Sequence, residues 1–150
     1  MFIYIGSDHG GFHLKKQLIS HYNSNNTNSF IDCGTFNSDS IDYPDISYLV
    51  CEKILNDAKV GIYSFGILLC GTGIGMSISA NKFKSIRAAL IYDLNTATMS
   101  KKHNNANIIC IGARTLNLEK AILLINKFMD TEFEGDRHIK RLNKIKFNNY

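Results

Sequence analysis

The sequence predicts an α/β fold: a Rossmann-like, three-layer αβα sandwich built on a five-stranded parallel sheet. Five short apolar segments alternate along the chain with stretches of helical periodicity, and short connections join them. Such alternation is typical of a parallel sheet covered on both faces, because each helix returns the chain to the start of the next strand. The length of 150 residues suits a single domain with one core. No internal repeat or second domain is visible.

The predicted strands are the apolar runs 2–6, 29–32, 66–70, 88–91 and 107–111. Helical patterns fill the intervals at 11–22, 43–57, 75–82, 94–103 and 118–129, and the basic tail 135–150 is predicted to form a further C-terminal helix. Right-handed crossovers between parallel strands favour a doubly wound sheet. We therefore expect the strand order 2-1-3-4-5.

Composition and charge exclude several classes of protein. The net charge of +4 is mild and does not by itself indicate nucleic-acid binding. No apolar run approaches the ~20 residues of a membrane span, and the first residues are typical of a strand rather than a signal peptide. The 4 cysteines lack the paired spacing of a disulfide framework or a zinc site. We expect a cytoplasmic protein with reduced thiols, no metal and no membrane partner.

A glycine-rich loop follows the third predicted strand. Its sequence is Cys70-Gly71-Thr72-Gly73-Ile74-Gly75, and the helix 75–82 comes next. Backbone N–H groups exposed between a strand and a helix favour anions. A thiol beside such a site is a candidate base or nucleophile, although Gly-X-Gly-X-Gly also occurs in plain turns. No P-loop lysine follows Gly75, which argues against a nucleoside triphosphate.

The end of the first strand is predicted to face this loop. In the expected order, the winding direction reverses between strands 1 and 3, and ligands bind at the carboxyl ends of strands at such a point. Strand 1 ends close to Asp8 and His9. A carboxylate there accepts hydrogen bonds from ligand hydroxyls, and an imidazole titrates near neutral pH. The alternative is that Asp8 caps the following helix.

His103 is predicted to lie far from Cys70 in the same chain. It ends the helix 94–103, which runs antiparallel to the strands, so it should sit at the opposite edge of the sheet, about 15 Å away by the helical rise. A catalytic His103 would then come from a second subunit. The alternative is a surface or capping histidine.

The basic tail carries cations at helical spacing. Arg137, Arg141 and Lys144 follow an i, i+4, i+7 pattern and share one face of a helix. Guanidinium groups bind phosphate oxygens in bidentate fashion, so this face is a candidate phosphate clamp, with Arg114 as a possible further member. The alternative is a solvated basic face.

Eight short motifs occur along the chain in an order that is specific to one protein family. They are Gly6-Ser7-Asp8-His9-Gly10-Gly11, Asp42-Tyr43-Pro44, Cys70-Gly71-Thr72-Gly73-Ile74-Gly75, Ala80-Asn81-Lys82, Arg87-Ala88, His103-Asn104-Asn105-Ala106-Asn107, Gly112-Ala113-Arg114 and Gly135-Asp136-Arg137-His138. In this combination the chain resembles the type B ribose-5-phosphate isomerases and the related galactose-6-phosphate isomerase subunits. The resemblance covers nearly the whole chain.

The resemblance implies an aldose–ketose isomerase of the pentose phosphate pathway that acts without metal or organic cofactor. Cys70 would be the base that moves a proton between C1 and C2, and Thr72 would assist proton movement near O1 and O2. Residues 71–79 contain no acidic side chain, so the carboxylate base of one family branch is missing. The enediolate oxygen would be held by backbone amides, those of Gly71, Gly73, Ile74 and Gly75.

The remaining implied roles concern the ring, the phosphate and the assembly. His103 would open the furanose ring, with Asn104 beside it. Arg137 and Arg141 would bind the phosphate. Further substrate contacts would come from Asp8, His9 and Arg114, whereas the role of Tyr43 stays open. The resemblance also implies a homodimer whose active sites are shared between subunits.

Three other functions compete with the pentose-phosphate isomerase. The nearest is a hexose-6-phosphate isomerase, on allose or galactose 6-phosphate, with the same mechanism. A non-catalytic module that binds a nucleotide or sugar phosphate is compatible with the same fold. Nucleic-acid binding by the basic tail would require an affinity that falls steeply with salt.

Overall fold

The strands form one parallel sheet. The computed structural model describes residues 1–24 and 29–145. Its strands are β1 (Phe2–Ser7), β2 (Ser29–Asp32), β3 (Ser64–Cys70), β4 (Ala88–Leu90) and β5 (Ile108–Gly112). Every residue of β3 and β5 is buried, as expected of strands covered on both faces. The predicted α/β sandwich is confirmed.

Six helices occupy the described residues around the sheet. They are α1 (Phe12–Ser24), α2 (Tyr43–Lys59), α3 (Ile74–Ala80), α4 (Leu94–Lys102), α5 (Leu118–Met129) and α6 (Arg137–Leu142). Side-chain caps fix two of the starts: Asp93 and Thr96 form a capping box at α4, and Asn117 accepts the amide of Lys120 at α5. Among the described residues, no helix has the length and apolar character needed to cross a bilayer.

The strand order corrects one prediction. The sheet runs β2-β1-β3-β5-β4, not 2-1-3-4-5, so the last two strands exchange places. Strand β4 has 3 residues, all half-buried, whereas the 5 residues of β5 are fully buried. The longer apolar strand takes the interior position because interior strands are covered on both faces, and the short strand forms the edge. The predicted reversal between β1 and β3 is unaffected.

The two faces of the sheet carry separate apolar layers. Helices α1, α4 and α5 pack on one face, and α2 and α3 pack on the other. Consecutive residues of a strand alternate between the layers: Ile67 and Leu69 join the first, and Leu68 and Cys70 join the second. The layers hold the carboxyl ends of β1 and β3 rigidly side by side.

A buried ion pair fixes the end of β2. Lys15 on α1 is only 1% exposed and pairs with Asp32 at the carboxyl end of the strand. Its Nζ also donates to the carbonyl oxygen of Thr35 at 2.8 Å, and the amide of Gly34 donates to Asp32 Oδ1 at 2.9 Å. Asp32 therefore organises the loop after β2.

We expect the two partners of this pair to differ in their effect on stability. Asp32→Ala leaves the buried Lys15 ammonium without its counter-charge and should lower the free energy of unfolding by about 3–5 kcal/mol. Lys15→Met removes the buried charge itself and leaves the partly exposed carboxylate, so it should change that free energy by less than about 1 kcal/mol. Urea unfolding measures both. Equal losses for the two variants would contradict this account.

Candidate active site

The carboxyl ends of β1 and β3 meet closely. The two strands pair in register as far as Ser7 and Leu69, and the amide of Asp8 donates to the carbonyl oxygen of Leu69 at 3.2 Å. A Cβ on Gly10 would lie 3.2 Å from the amide nitrogen of Gly71. Glycine allows this close approach, whereas a Cβ here would push the two segments apart by a few tenths of an ångström. The two predicted constellations therefore share one crevice, as the sequence indicated.

Asp8 and His9 are both held by backbone groups. The Asp8 side chain is buried, and its Oδ1 accepts a hydrogen bond from the amide of Gly11 at 3.1 Å. Gly11 belongs to the turn before α1, so Asp8 stabilises that turn and does not cap the helix itself. His9 is exposed, and its Nδ1 accepts the amide of Ile41 at 3.4 Å. In a neutral imidazole that arrangement leaves the proton on Nε2, where it is available to a ligand.

The Cys70 sulfur lies beneath the glycine loop. Cys70 is 6% exposed, and its Sγ accepts the amide of Gly73 at 3.0 Å. Gly73 has φ 78°, a conformation that glycine adopts without steric cost. Thr72 and Ile74 are exposed, and the Ile74 amide reaches Thr72 Oγ1 at 3.4 Å. The sulfur therefore faces the backbone amides at the start of α3.

Burial keeps the thiols of the other three cysteines protonated. All four are free and buried. Burial raises the pKa of the Cys33 and Cys51 thiols to about 11, and it raises the pKa of Cys110 well above its ordinary value. These three groups are protonated at neutral pH and serve packing.

Two large side chains form the walls of the glycine loop. The guanidinium of Arg114 lies against Gly71, where a Cβ would be 3.2 Å from its Cζ, and the amide of Arg114 donates to the Gly71 carbonyl oxygen at 3.0 Å. The ring of Tyr43 covers Gly75, where a Cβ would be 3.0 Å from Cζ. The structure thus places Arg114 beside the glycine loop rather than with the arginines of the predicted phosphate clamp, and it places Tyr43 there too.

His103 and Asn104 lie at the amino-terminal end of the strands, opposite to the carboxyl end where Cys70 lies. They follow the end of α4, which runs antiparallel to β5, and β5 begins only at Ile108. Arg87 fixes this turn, because its Nε donates to the carbonyl oxygens of Asn104 at 3.2 Å and Asn105 at 2.8 Å. The order of the elements therefore places the two candidate groups at opposite ends of the parallel strands, the amino-terminal end for His103 and the carboxyl end for Cys70.

The predicted phosphate-binding arginines lie near His103 rather than near Cys70. Both Arg137 and Arg141 are exposed on α6. The helix ends at Leu142, so Lys144 falls beyond it and the expected three-residue stripe is reduced to two arginines. Residues 146–150 of the predicted tail helix lie outside the described residues.

A carboxylate and two stacked imidazoles lie beside Arg137. Glu134 Oε1 is 3.0 Å from Arg137 Nη2 and 3.6 Å from His138 Nε2, and its Oε2 is 3.9 Å from His103 Nε2. The rings of His103 and His138 stack with centroids 4.3 Å apart. We call His103, Glu134, Arg137 and His138 the Glu134 cluster. Sequence reasoning assigned no role to Glu134 or His138, because Glu134 lies in the irregular segment before α6 and only His138 belongs to the helix.

The charges in the Glu134 cluster decide its protonation. Burial alone would raise the pKa of Glu134, but the positive charges around it, foremost Arg137 and then Lys102, lower that pKa below its usual range. Burial and the neighbouring His103 lower the pKa of His138. Ligating atoms of His103, Glu134 and His138 lie within 4.8 Å of one another, close enough for a metal. With Lys102 and Arg137 at the carboxylate, the cluster is better suited to an ion-pair network than to a cation site.

Comparison with known proteins identifies the family of the chain. The family model described as Ribose/Galactose Isomerase matches residues 3–145. Ribose-5-phosphate isomerase B of Escherichia coli is 36% identical over 143 residues, which cover 95% of this chain and 93% of that protein. The structure of ribose-5-phosphate isomerase B from Clostridium thermocellum superposes with a TM-score of 0.88 at 40% identity, covering 96% and 94% of the two chains. The same enzyme from Mycoplasma genitalium, solved with bound ribulose-5-phosphate, has a TM-score of 0.88 at 36% identity and covers 95% and 92%.

Proposed function

Since the chain belongs to the ribose/galactose isomerase family and is an isomerase of type B, we propose that it interconverts D-ribose 5-phosphate and D-ribulose 5-phosphate through an enediolate. The observation that carries this proposal is the Cys70 sulfur at the head of a glycine loop, with the Gly73 amide 3.0 Å away. The reaction would proceed without metal or organic cofactor, in the cytoplasm and in the non-oxidative pentose phosphate pathway.

Proton transfer at the C1–C2 end requires a base and an oxyanion site. Cys70 takes the carbon-bound proton, which develops negative charge on the neighbouring oxygen. Backbone amides of the loop 71–75 stabilise that charge, and one such donor contributes about 3–4 kcal/mol to an oxyanion transition state. Thr72 is exposed at the loop and moves the proton between O1 and O2. No acyl or glycosyl group is transferred, so Cys70 acts as a base rather than as a covalent nucleophile.

The other end of the substrate requires a ring-opening group and a phosphate site. His103 transfers the proton that opens the furanose, with Asn104 beside it. Arg137 and Arg141 bind the phosphate through charge-assisted hydrogen bonds. The hydroxyls between the two ends are contacted by Asp8, His9 and Arg114.

These two sets of residues lie too far apart to act within one chain. Strand β3 spans 7 residues, about 20 Å at ~3.3 Å per residue, which exceeds the length of a five-carbon sugar phosphate. We infer a homodimer in which one chain contributes Cys70 and its partner contributes His103, Arg137 and Arg141. Exposed apolar residues on α3 support such an interface: Ile74 is 51% and Ile78 58% exposed, at i, i+4 spacing.

A substrate panel tests the proposal. We expect kcat/KM for D-ribose 5-phosphate to exceed that for allose 6-phosphate and galactose 6-phosphate by more than about 10-fold, because one extra carbon displaces the phosphate from the arginines and a misplaced contact costs 1–3 kcal/mol. A preference for a hexose phosphate would establish the alternative function. Binding of sugar phosphates without turnover would contradict an isomerase.

A further inference from the structure

The Glu134 carboxylate contacts both the imidazole of His103 and the guanidinium of Arg137. We propose that Glu134 is a positioning residue that holds the ring-opening imidazole and the phosphate-binding guanidinium at a set separation. This inference rests on the proposed function, because it takes the roles of His103 and Arg137 from there. Since those two groups act in the partner's site, Glu134 would organise the half of the active site that each chain donates.

The contact with Arg137 fixes the direction of the guanidinium. Glu134 Oε1 lies 3.0 Å from Nη2, and a guanidinium has five N–H donors, so most donors stay available for phosphate oxygens. The Arg137 side chain is 62% exposed and would otherwise sample many rotamers. Holding it before the substrate arrives removes part of the entropy cost of binding.

The contact with His103 has a second support in His138. The His103 ring stacks on the His138 ring with an interplanar angle of 11°, which fixes the plane of the reactive imidazole. His138 is itself 3% exposed, and its Nε2 is buried without a hydrogen-bond partner, 3.6 Å from Glu134 Oε1. Both imidazoles therefore present Nε2 to the same carboxylate, at 3.9 Å for His103 and 3.6 Å for His138.

The backbone keeps Glu134 in place. Its amide donates to the carbonyl oxygen of Lys102 at 3.0 Å, and Lys102 Nζ lies 3.7 Å from Oε2. These contacts join the end of α4, which carries His103, to the segment that leads into α6, which carries Arg137. The lowered pKa of Glu134 means that the carboxylate is charged at neutral pH and attracts the Arg137 guanidinium 3.0 Å away.

Glu134→Gln tests the inference, because it keeps the size of the side chain and removes its charge. We expect kcat for ribose 5-phosphate to fall by about 10- to 100-fold, toward the lower part of the range for general acid–base groups, and KM to rise several-fold. The matched control is Glu132→Gln, the same change at an exposed position two residues away, which should behave as wild type.

A second measurement separates positioning from loss of structure. Ribulose 5-phosphate cannot close a furanose, because its O5 carries the phosphate, so exchange of its C1 proton with D₂O needs Cys70 but no ring opening. At saturating ribulose 5-phosphate, Glu134→Gln should keep the rate of this exchange within about threefold of wild type. The exchange does not include the ring-opening step that His103 catalyses as a general acid or base. Glu134→Asp, which keeps the charge, should recover part of the lost kcat.

Two results would overturn the inference: wild-type kcat and KM in Glu134→Gln, or a C1 exchange rate that falls in parallel with kcat. Failure of the proposed function would look different. In that case the wild-type protein would not isomerise ribose 5-phosphate, or His103→Ala would leave its rate unchanged.

Discussion

Replacing Cys70 with alanine is expected to lower kcat for ribose 5-phosphate by about 10³-fold, within the 10²–10⁴ range of a general base. Cys70 is the only candidate base at the loop, because residues 71–79 contain no carboxylate. The Gly73 amide, 3.0 Å from Sγ, holds the sulfur at the start of the loop. Steady-state rates with ribose 5-phosphate measure the loss.

Cys33→Ala provides the matched control for this variant. Cys33 is also a buried thiol at the carboxyl end of the sheet, and burial raises its pKa to about 11, so it carries no charge at neutral pH. We expect near-wild-type kcat and a small loss of stability. A Cys70→Ala protein that folds and isomerises at close to the wild-type rate would contradict the assignment of the base.

Gly73→Ala is expected to lower kcat by about 100-fold, comparable to the loss of an oxyanion donor. A Cβ at this position would lie 2.9 Å from the backbone carbon of Ile111 and 3.1 Å from the amide of Gly112. Neither neighbour is a flexible side chain, so the loop itself has to move. Its displacement would carry the Gly73 amide away from Cys70 and disorder the amides that follow it.

Gly61→Ala separates steric displacement from backbone strain. Gly61 has φ 74°, close to the φ 78° of Gly73, but no atom lies within 4 Å of its Cβ position. Alanine there should destabilise the protein by about 1–2 kcal/mol through the left-handed conformation and leave kcat unchanged. If both variants lost activity equally, backbone strain rather than the position of the loop would be the cause.

The position of the crevice could be predicted from the sequence, because this position depends on the order and direction of the strands. Apolar runs and helical periodicity predicted which elements alternate, and the reversal between β1 and β3 followed from the handedness of the crossovers. That placed Asp8 beside the loop of Cys70, and it placed His103 at the opposite end of the strands. The order of the last two strands could not be read in the same way, because either order satisfies the handedness rule. Burial of the longer β5 selected the observed one.

Contacts between side chains were the part that sequence reasoning missed. Asp32 ends β2, where an acidic residue often binds a ribose hydroxyl, but here the buried Lys15 occupies it. The Glu134 cluster joins the end of α4 to α6 across 31 positions of the chain, from residue 103 to residue 134. No periodicity links such residues. Only the spacing of Glu134 and His138 was available from the sequence, and it does not reveal His103.

Mixing two inactive variants tests most directly the central claim, a site built from two chains. In a dimer of one Cys70→Ala chain and one His103→Ala chain, one site has both groups and the other has neither. Random exchange in an equal mixture makes half of the dimers mixed, so we expect about a quarter of wild-type activity to return under twofold symmetry. Differently tagged chains would verify the exchange. No recovery among verified mixed dimers would contradict the shared site.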